Sequence, residues 1–188
     1  MNDRVRSELF EIKPLDSLEA AHLQDALAWA TSGAPLFRTA KPATPAKHLV
    51  SYFAVVDGEN ILLVDHKNAR LWLPTGGHVE PNEDPRTTVV RELKEELGLQ
   101  IEVAKVGPPI MVTVTETVGL TSGHTDVSLW YVVQGDRTAT IVFDRVEFNE
   151  VHWFAFSQVL LERSEPHLAR FLTKVVGSVP PSNPDLAG

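Results

Sequence analysis

Three glutamates lie close enough along the chain to make a cation site. Residues 91–96 read Arg91-Glu92-Leu93-Lys94-Glu95-Glu96, setting Glu92, Glu95 and Glu96 at i, i+3 and i+4. On a helix that spacing gathers the three carboxylates on one face, where each like-charge pair costs about 0.2–0.5 kcal/mol. A hard divalent cation reverses the sign, since Mg2+ takes a few carboxylates, water and the phosphates of a substrate. Upstream, the Gly76-Gly77 turn lets the backbone approach closely, so that a carbonyl there can complete the coordination. Taken alone, the six-residue run reads equally well as a solvated, charge-rich helix face.

The elements that position these residues can be read around them. Asp84 has the type and place of an N-cap, Pro85 suits a first turn, and Gly98 suits a left-handed stop. A helix of about 13 residues is expected between them, docked by Val89, Leu93 and Leu97. Strand-like text precedes it at 49–56 and 61–64, joined by a four-residue Asp57-Gly58-Glu59-Asn60 turn, and again at 71–73. Further strands are expected at 100–104, 110–117, 126–133, 138–143 and 150–154. Near the start, Asp16 and Glu19 stand at capping-box spacing, Leu23, Ala26, Leu27 and Ala30 follow the helical period, and Gly33 closes the helix. Residues 34–47, with Pro35, Pro42 and Pro45, read as a connector. Helix is expected again over 157–163, then from Pro166 to 176 before Gly177.

The chain thus divides into a helical arm with its connector (1–47), a main domain (48–177) and a flexible proline-bearing tail (178–188). Helices before, within and after a set of strands fit an α/β sandwich on a mixed sheet. The arm helix is too short to be stable alone. It must pack on the main domain, where it can cover a pocket, or on a second subunit, making a homodimer possible.

Composition narrows the partners. The 188 residues are 43% apolar and 22% charged, with a net charge of −8. That balance argues against a general binder of nucleic acid or anionic membrane, which needs a basic stripe. Positive charge for an anionic substrate must come from elsewhere, and a bound metal is the simplest source. The chain has no cysteine, which removes disulfides, thiolate metal sites and thiol nucleophiles. The first eight residues carry early acids and no apolar run such as a secretory leader needs. No stretch approaches the roughly 18 apolar residues of a membrane span, and a cytoplasmic protein is expected.

The wider segment sharpens the first reading. Gly77 stands six positions before Glu83, and Glu83 eight before Arg91; Arg91-Glu92-Leu93-Lys94-Glu95-Glu96-Leu97-Gly98-Leu99 follows. This resembles the Nudix box, and all nine of its fixed or class-restricted positions over 23 residues are met. The Trp72-Leu73-Pro74 lead-in and Val151-His152-Trp153-Phe154 near the end are also similar to Nudix framing, so the likeness spans about 49–176. It implies an α/β/α sandwich and a hydrolase that cleaves within the diphosphate of a nucleoside diphosphate derivative or triphosphate. By resemblance, Glu92, Glu95 and Glu96 hold Mg2+ (or Mn2+) with the Gly77 carbonyl, while Glu83, Arg91 and Gly98 are structural. The general base is either Glu92 or an acid on a distant loop; Glu147, six residues before Trp153, is the best placed by spacing and is also a candidate metal ligand.

Weaker candidates surround that set. His124 and Asp126 either face the site or cap a strand, and Lys67 and Arg70 are candidates to meet a phosphate. His78 and Glu80 occupy variable box positions and are expected in solvent, whereas Trp29, Trp72, Trp130 and Trp153 read as core. Substrate class follows by subtraction. Thr115 stands where ADP-ribose pyrophosphatases tend to carry proline, and Glu116 and Thr117 where dinucleoside polyphosphate hydrolases tend to carry tyrosine. The coenzyme A group's signature before the box is missing, and the isomerases of this fold need a cysteine. A MutT-like nucleoside triphosphate pyrophosphohydrolase remains, or a hydrolase of another small nucleotide conjugate. The alternative is a non-catalytic nucleotide sensor, although such proteins often lose box glutamates.

Overall fold

The structure is a computed structural model in which residues 2–41, 44–117 and 123–178 are described. Two helices come first, α1 (Asn2–Glu11) and α2 (Ser17–Thr31). Strands β1 (Lys47–Asp57), β2 (Asn60–His66), β3 (Leu71–Leu73) and β4 (Thr75–His78) lead into α3 (Pro85–Leu97). After it come β5 (Met111–Glu116), β6 (Thr125–Gln134), β7 (Phe148–Ala155) and α4 (Leu168–Ser178). No helix of the described residues is long and apolar enough to cross a membrane.

β1 organises the sheet. It runs parallel to β6 over ten residue pairs and antiparallel to β2 and β4, and β5 and β7 pair with β6 and β2. The sheet is therefore mixed. Side chains alternate along β1: Leu49, Phe53 and Val55 join Val89, Leu93, Leu97 and the arm, whereas Ala54 and Val56 join Leu168, Phe171, Leu172 and Val175 of α4. Period-two alternation thus feeds two cores, with α1, α2 and α3 on one face and α4 on the other. The expected α/β/α sandwich is what forms.

Local sequence explains most boundaries. Asp16 caps α2, accepting from the amides of Leu18 (2.9 Å) and Glu19 (3.0 Å). Glu19 reaches back to the amide of Leu15 rather than of the cap itself, and its buried carboxylate pairs with Lys174 of α4. Asp84 caps α3 through the Arg86 amide at 2.9 Å, and Gly98 ends it at φ 66°, with its amide on the carbonyls of Leu93 and Lys94. Helix α1 was not expected, yet Val5, Leu9 and Ile12 form an i, i+4, i+7 stripe that is almost wholly buried. The arm is part of the main core, since these residues pack in one cluster with Phe53, Leu93 and Leu129.

Several expectations differ. The β1–β2 turn has two residues, Gly58 at φ 57° and Glu59, because pairing continues to Asp57 and Asn60. No strand forms at 100–104, where a single 3-10 turn at Val103–Lys105 is followed by one buried anchor, Val106. None forms at 138–143 either. There the Asp136 carboxylate captures the Thr138 amide and hydroxyl in a turn, and Val142 is left 71% exposed. The expected helix at 157–163 resolves into two short 3-10 turns, Phe156–Gln158 and Leu161–Arg163, as exposed Leu160 and Leu161 give it no buried face. α4 starts two residues past Pro166. Beyond Ser178 the expected tail lies outside the described residues.

Candidate active site

A fork in the sheet makes room for the site. β1 pairs with β4 over residues 50–53 and with β2 only over 55–57, so β2 and β4 diverge from the same edge. A cavity of about 900 Å3 opens between them, lined by β3, β4, the box loop, α3 and Glu147. Close approach decides both glycines of β4. A Cβ on Gly77 would overlap the Glu92 carboxylate, and one on Gly76 would lie 2.7 Å from the Ser51 carbonyl oxygen. Only glycine lets α3 lie this near the strand. The helix is further fixed by Ser51, whose hydroxyl donates to the Pro85 carbonyl at 2.7 Å.

Arg91 ties the loop to the helix. Its Nε and Nη2 donate to the two oxygens of Glu83 at 3.0 and 3.1 Å, Nη2 also to the His78 carbonyl at 3.2 Å, and Nη1 to Glu92 at 2.6 Å. Glu83 accepts further from the Glu80 amide (3.1 Å) and the Thr88 hydroxyl (2.7 Å). Burial would raise the Glu83 pKa, but hydrogen bonds from Arg91, Thr88 and Glu80 hold it below the usual value. The guanidinium in turn is raised by Glu83 first and Glu92 second.

The three box glutamates are not equivalent. Glu96 is 9% exposed, and its Oε2 has no hydrogen-bond partner among the described residues. Burial first, then the charges of Glu92 and Glu147, push its pKa up to about 9, against a backbone hydrogen bond from Gly76. Burial also raises Glu92, opposed by Arg91. Glu95, by contrast, keeps a side chain 60% exposed, at 3.4 Å from Arg91. The helix face read as exposed is therefore buried on the Glu96 side. Glu96 adjoins the Leu93–Leu97 stripe, so it turns toward β4 while Glu95 turns to solvent.

Glu147, from the loop before β7, meets Glu92 and Glu96 around the cavity, and its carbonyl accepts from the Lys67 amide at 3.0 Å. The other candidates go elsewhere. Lys67 sends its ammonium to the Arg145 carbonyl, and neither Lys67 nor Arg70 lines the cavity. His124 and Asp126 also lie off the cavity lining, grouped with His48 and His78 at the start of β1 and β6. His78 is half-buried rather than in solvent, and burial first, then Arg38, lowers its pKa to about 3. Trp130 is core, its indole donating to the Thr113 hydroxyl at 3.0 Å.

The connector supplies what the charge balance withheld. Arg38 and Lys41 line the same cavity as Glu92, Glu96 and Glu147. Sequence reasoning missed both because the connector is brought here by its docking on β1, where the Leu49 amide donates to the Leu36 carbonyl, a contact no local spacing encodes. The donor set fits a hard divalent cation. Glu96 offers a buried oxygen without a partner, Glu92 is pressed against the Gly77 backbone, and the surrounding acids are all oxygen donors.

The profile of the NUDIX domain matches residues 47–175. The chain is similar to the CTP pyrophosphohydrolase of Escherichia coli (strain K12), 37% identical over 57 residues. That match covers 28% of this chain and 42% of the relative, so it spans less than half of that protein. The solution structure of the E. coli ORF135 protein shares the fold with a TM-score of 0.56, at 24% identity over 74% of this chain and 97% of that one. The crystal structure of the MutT NUDIX hydrolase from Burkholderia pseudomallei does so with 0.54, at 23% identity over 69% and 98%. With the profile covering well over half its length, and with that fold around the box, the chain belongs to the NUDIX family.

Proposed function

We propose that the protein hydrolyses a diphosphate linkage in a nucleoside triphosphate or a nucleoside diphosphate derivative, by attack of water on phosphorus. The observation that carries this reading is the buried Glu96 carboxylate, whose Oε2 has no partner among the described residues, beside Glu92 and Gly77 on a cavity that Arg38 and Lys41 also line. Glu92, Glu96 and the Gly77 carbonyl would hold Mg2+ or Mn2+ with Glu147 on the same lining, while Glu95, turned to solvent, stands outside it. When bound, such an ion neutralises phosphate oxygens and acidifies water. The chain's residues do the rest. Arg38 and Lys41 pair with the diphosphate and orient it, which is most of what phosphoryl transfer asks. Arg91 fixes the rotamer of Glu92 and the course of the box loop. Glu92, beside the cation, is placed to take the proton of the attacking water. Glu147, across the cavity, is the other group placed to do so.

The similarity to a CTP pyrophosphohydrolase favours the triphosphate end of this substrate class. The test is a panel of nucleoside triphosphates, dinucleotides and nucleotide sugars, assayed for release of a nucleoside monophosphate with and without Mg2+ or Mn2+. Metal-dependent release is expected. Turnover without metal would end the mechanism, and tight nucleotide binding without turnover would favour a sensor.

A further inference from the structure

We infer that His48, His78, His124 and Asp126 form a second metal site, built for a borderline divalent transition ion such as Zn2+ and separate from the glutamate site. One nitrogen from each imidazole and one carboxylate oxygen all lie within 4.8 Å of one another. Asp126 Oδ1 stands 3.2 Å from His48 Nε2, 3.4 Å from His124 Nε2 and 3.9 Å from His78 Nε2. A tetrahedron with metal–ligand bonds of about 2.05 Å has edges of about 3.3 Å, so two of these edges are nearly of the right length already.

Burial and tautomer point the same way. The His48 side chain is fully buried and that of His124 is 5% exposed. His48 Nε2 and Asp126 Oδ1 are both buried without a hydrogen-bond partner among the described residues. Leaving two such atoms buried and unpaired is unfavourable, and a cation between them satisfies both. His48 Nδ1 lies 2.8 Å from the Pro45 carbonyl, which can only accept. Thr117 donates its hydroxyl to the His124 carbonyl at 3.1 Å, leaving its oxygen to accept from His124 Nδ1 at 3.2 Å. Arg38, which can only donate, faces His78 Nε2 at 3.2 Å. His48 and His124 therefore turn an Nε2 lone pair inward, the orientation outer hydrogen bonds impose on histidine ligands, while the Nε2 lone pair of His78 accepts from Arg38.

The fold makes the juxtaposition. Parallel pairing sets His48 opposite Asp126, antiparallel pairing sets His78 opposite Val50, and His124 lies two residues before Asp126. All four share the face turned away from α3, while Gly77, one residue from His78, is turned toward it. Three imidazoles and one carboxylate suit Zn2+ and its neighbours and disfavour Mg2+, which wants oxygen. An ion that takes the His78 lone pair displaces the Arg38 guanidinium, freeing it for the cavity it also lines.

The test needs no turnover and so stands apart from the hydrolase reading. Full-length protein, stripped with chelator, is titrated with Co2+. One equivalent should give the intense visible bands of a tetrahedral site, bleached by Zn2+ and untouched by excess Mg2+. Zn2+ at a hundredfold excess over its Kd should raise Tm by about 5–10 °C. Asp126→Asn and His124→Gln should each weaken Co2+ binding about 10–100-fold or more, whereas Glu96→Gln should leave the bands unchanged. On the unaltered protein, histidine 15N spectra should show three of the seven histidines losing their Nε2 lone-pair shift with Zn2+, which locates the ion even if a variant fails to fold. Absence of tetrahedral bands, bands abolished by Glu96→Gln, or unshifted histidines would overturn the site.

Discussion

The two walls of the cavity differ in charge and in how the chain makes them. The acidic wall comes from one helix and the strand before it, within 21 residues of sequence from Gly76 to Glu96. The basic wall comes from a connector outside the matched family segment, pinned to β1 where the Leu49 amide donates to the Leu36 carbonyl. Chemistry that recurs within a family is carried by local spacing, whereas the cation partners of a substrate can be supplied by whatever packs beside it.

The most severe way to break this contrast is to remove the basic wall. Deleting residues 1–46 strips Val5, Leu9, Ile12, Ala26, Ala30 and Leu36 from the shared core. At about 1.5–3 kcal/mol for each of the four large side chains, the loss of about 6–12 kcal/mol is as large as a typical domain stability of about 5–15 kcal/mol. Loss of the cooperative melt by circular dichroism is expected; an unchanged melt would mean that the walls are independent. Next, Glu96→Gln keeps the shape of the acidic wall and removes its charge, so kcat should fall about 100-fold or more while the fold persists. Full activity would overturn the proposal that Glu96 holds the metal. Arg38→Ala tests the opposite wall, and steady-state kinetics should show KM rising about 10-fold, as for one charge-assisted hydrogen bond, with a smaller change in kcat.

The mildest test is a pH profile of Tm without metal. Glu96 ordinarily titrates near 4.5 and is raised to about 9 in the fold. The folded state then holds a proton that the unfolded chain releases between those values. This contribution to stability is therefore full below about pH 4.5 and declines as pH rises toward 9. The slope should flatten in Glu96→Gln; an equal slope in both proteins would assign it to other groups.

What the sequence disclosed follows the same divide. The cap at Asp84, the stop at Gly98 and the Val89, Leu93, Leu97 stripe depend only on neighbours a few residues away, and α3 forms where that spacing placed it. The unequal burial of Glu95 and Glu96 depends on where β4 lies, which no spacing within the helix encodes. His48 gave no local signal, since only the parallel pairing of β1 with β6 sets it against Asp126. The strand text at 138–143 was misleading for the converse reason: Asp136 offered its backbone a turn before any strand edge could.

The pairing of Glu19 with Lys174 has a consequence for biosynthesis. The two residues are 155 positions apart, and the Glu19 side chain is 2% exposed. While the chain is being made, α2 is complete long before its countercharge exists. Until then the partner of Glu19 is the local Leu15 amide, and a buried carboxylate that lacks its countercharge is costly, so the arm completes its docking only when the C-terminal helix has emerged. Burial of one early charge thus makes folding wait for a late residue, and a nascent chain halted before α4 would hold its N-terminal helices loosely.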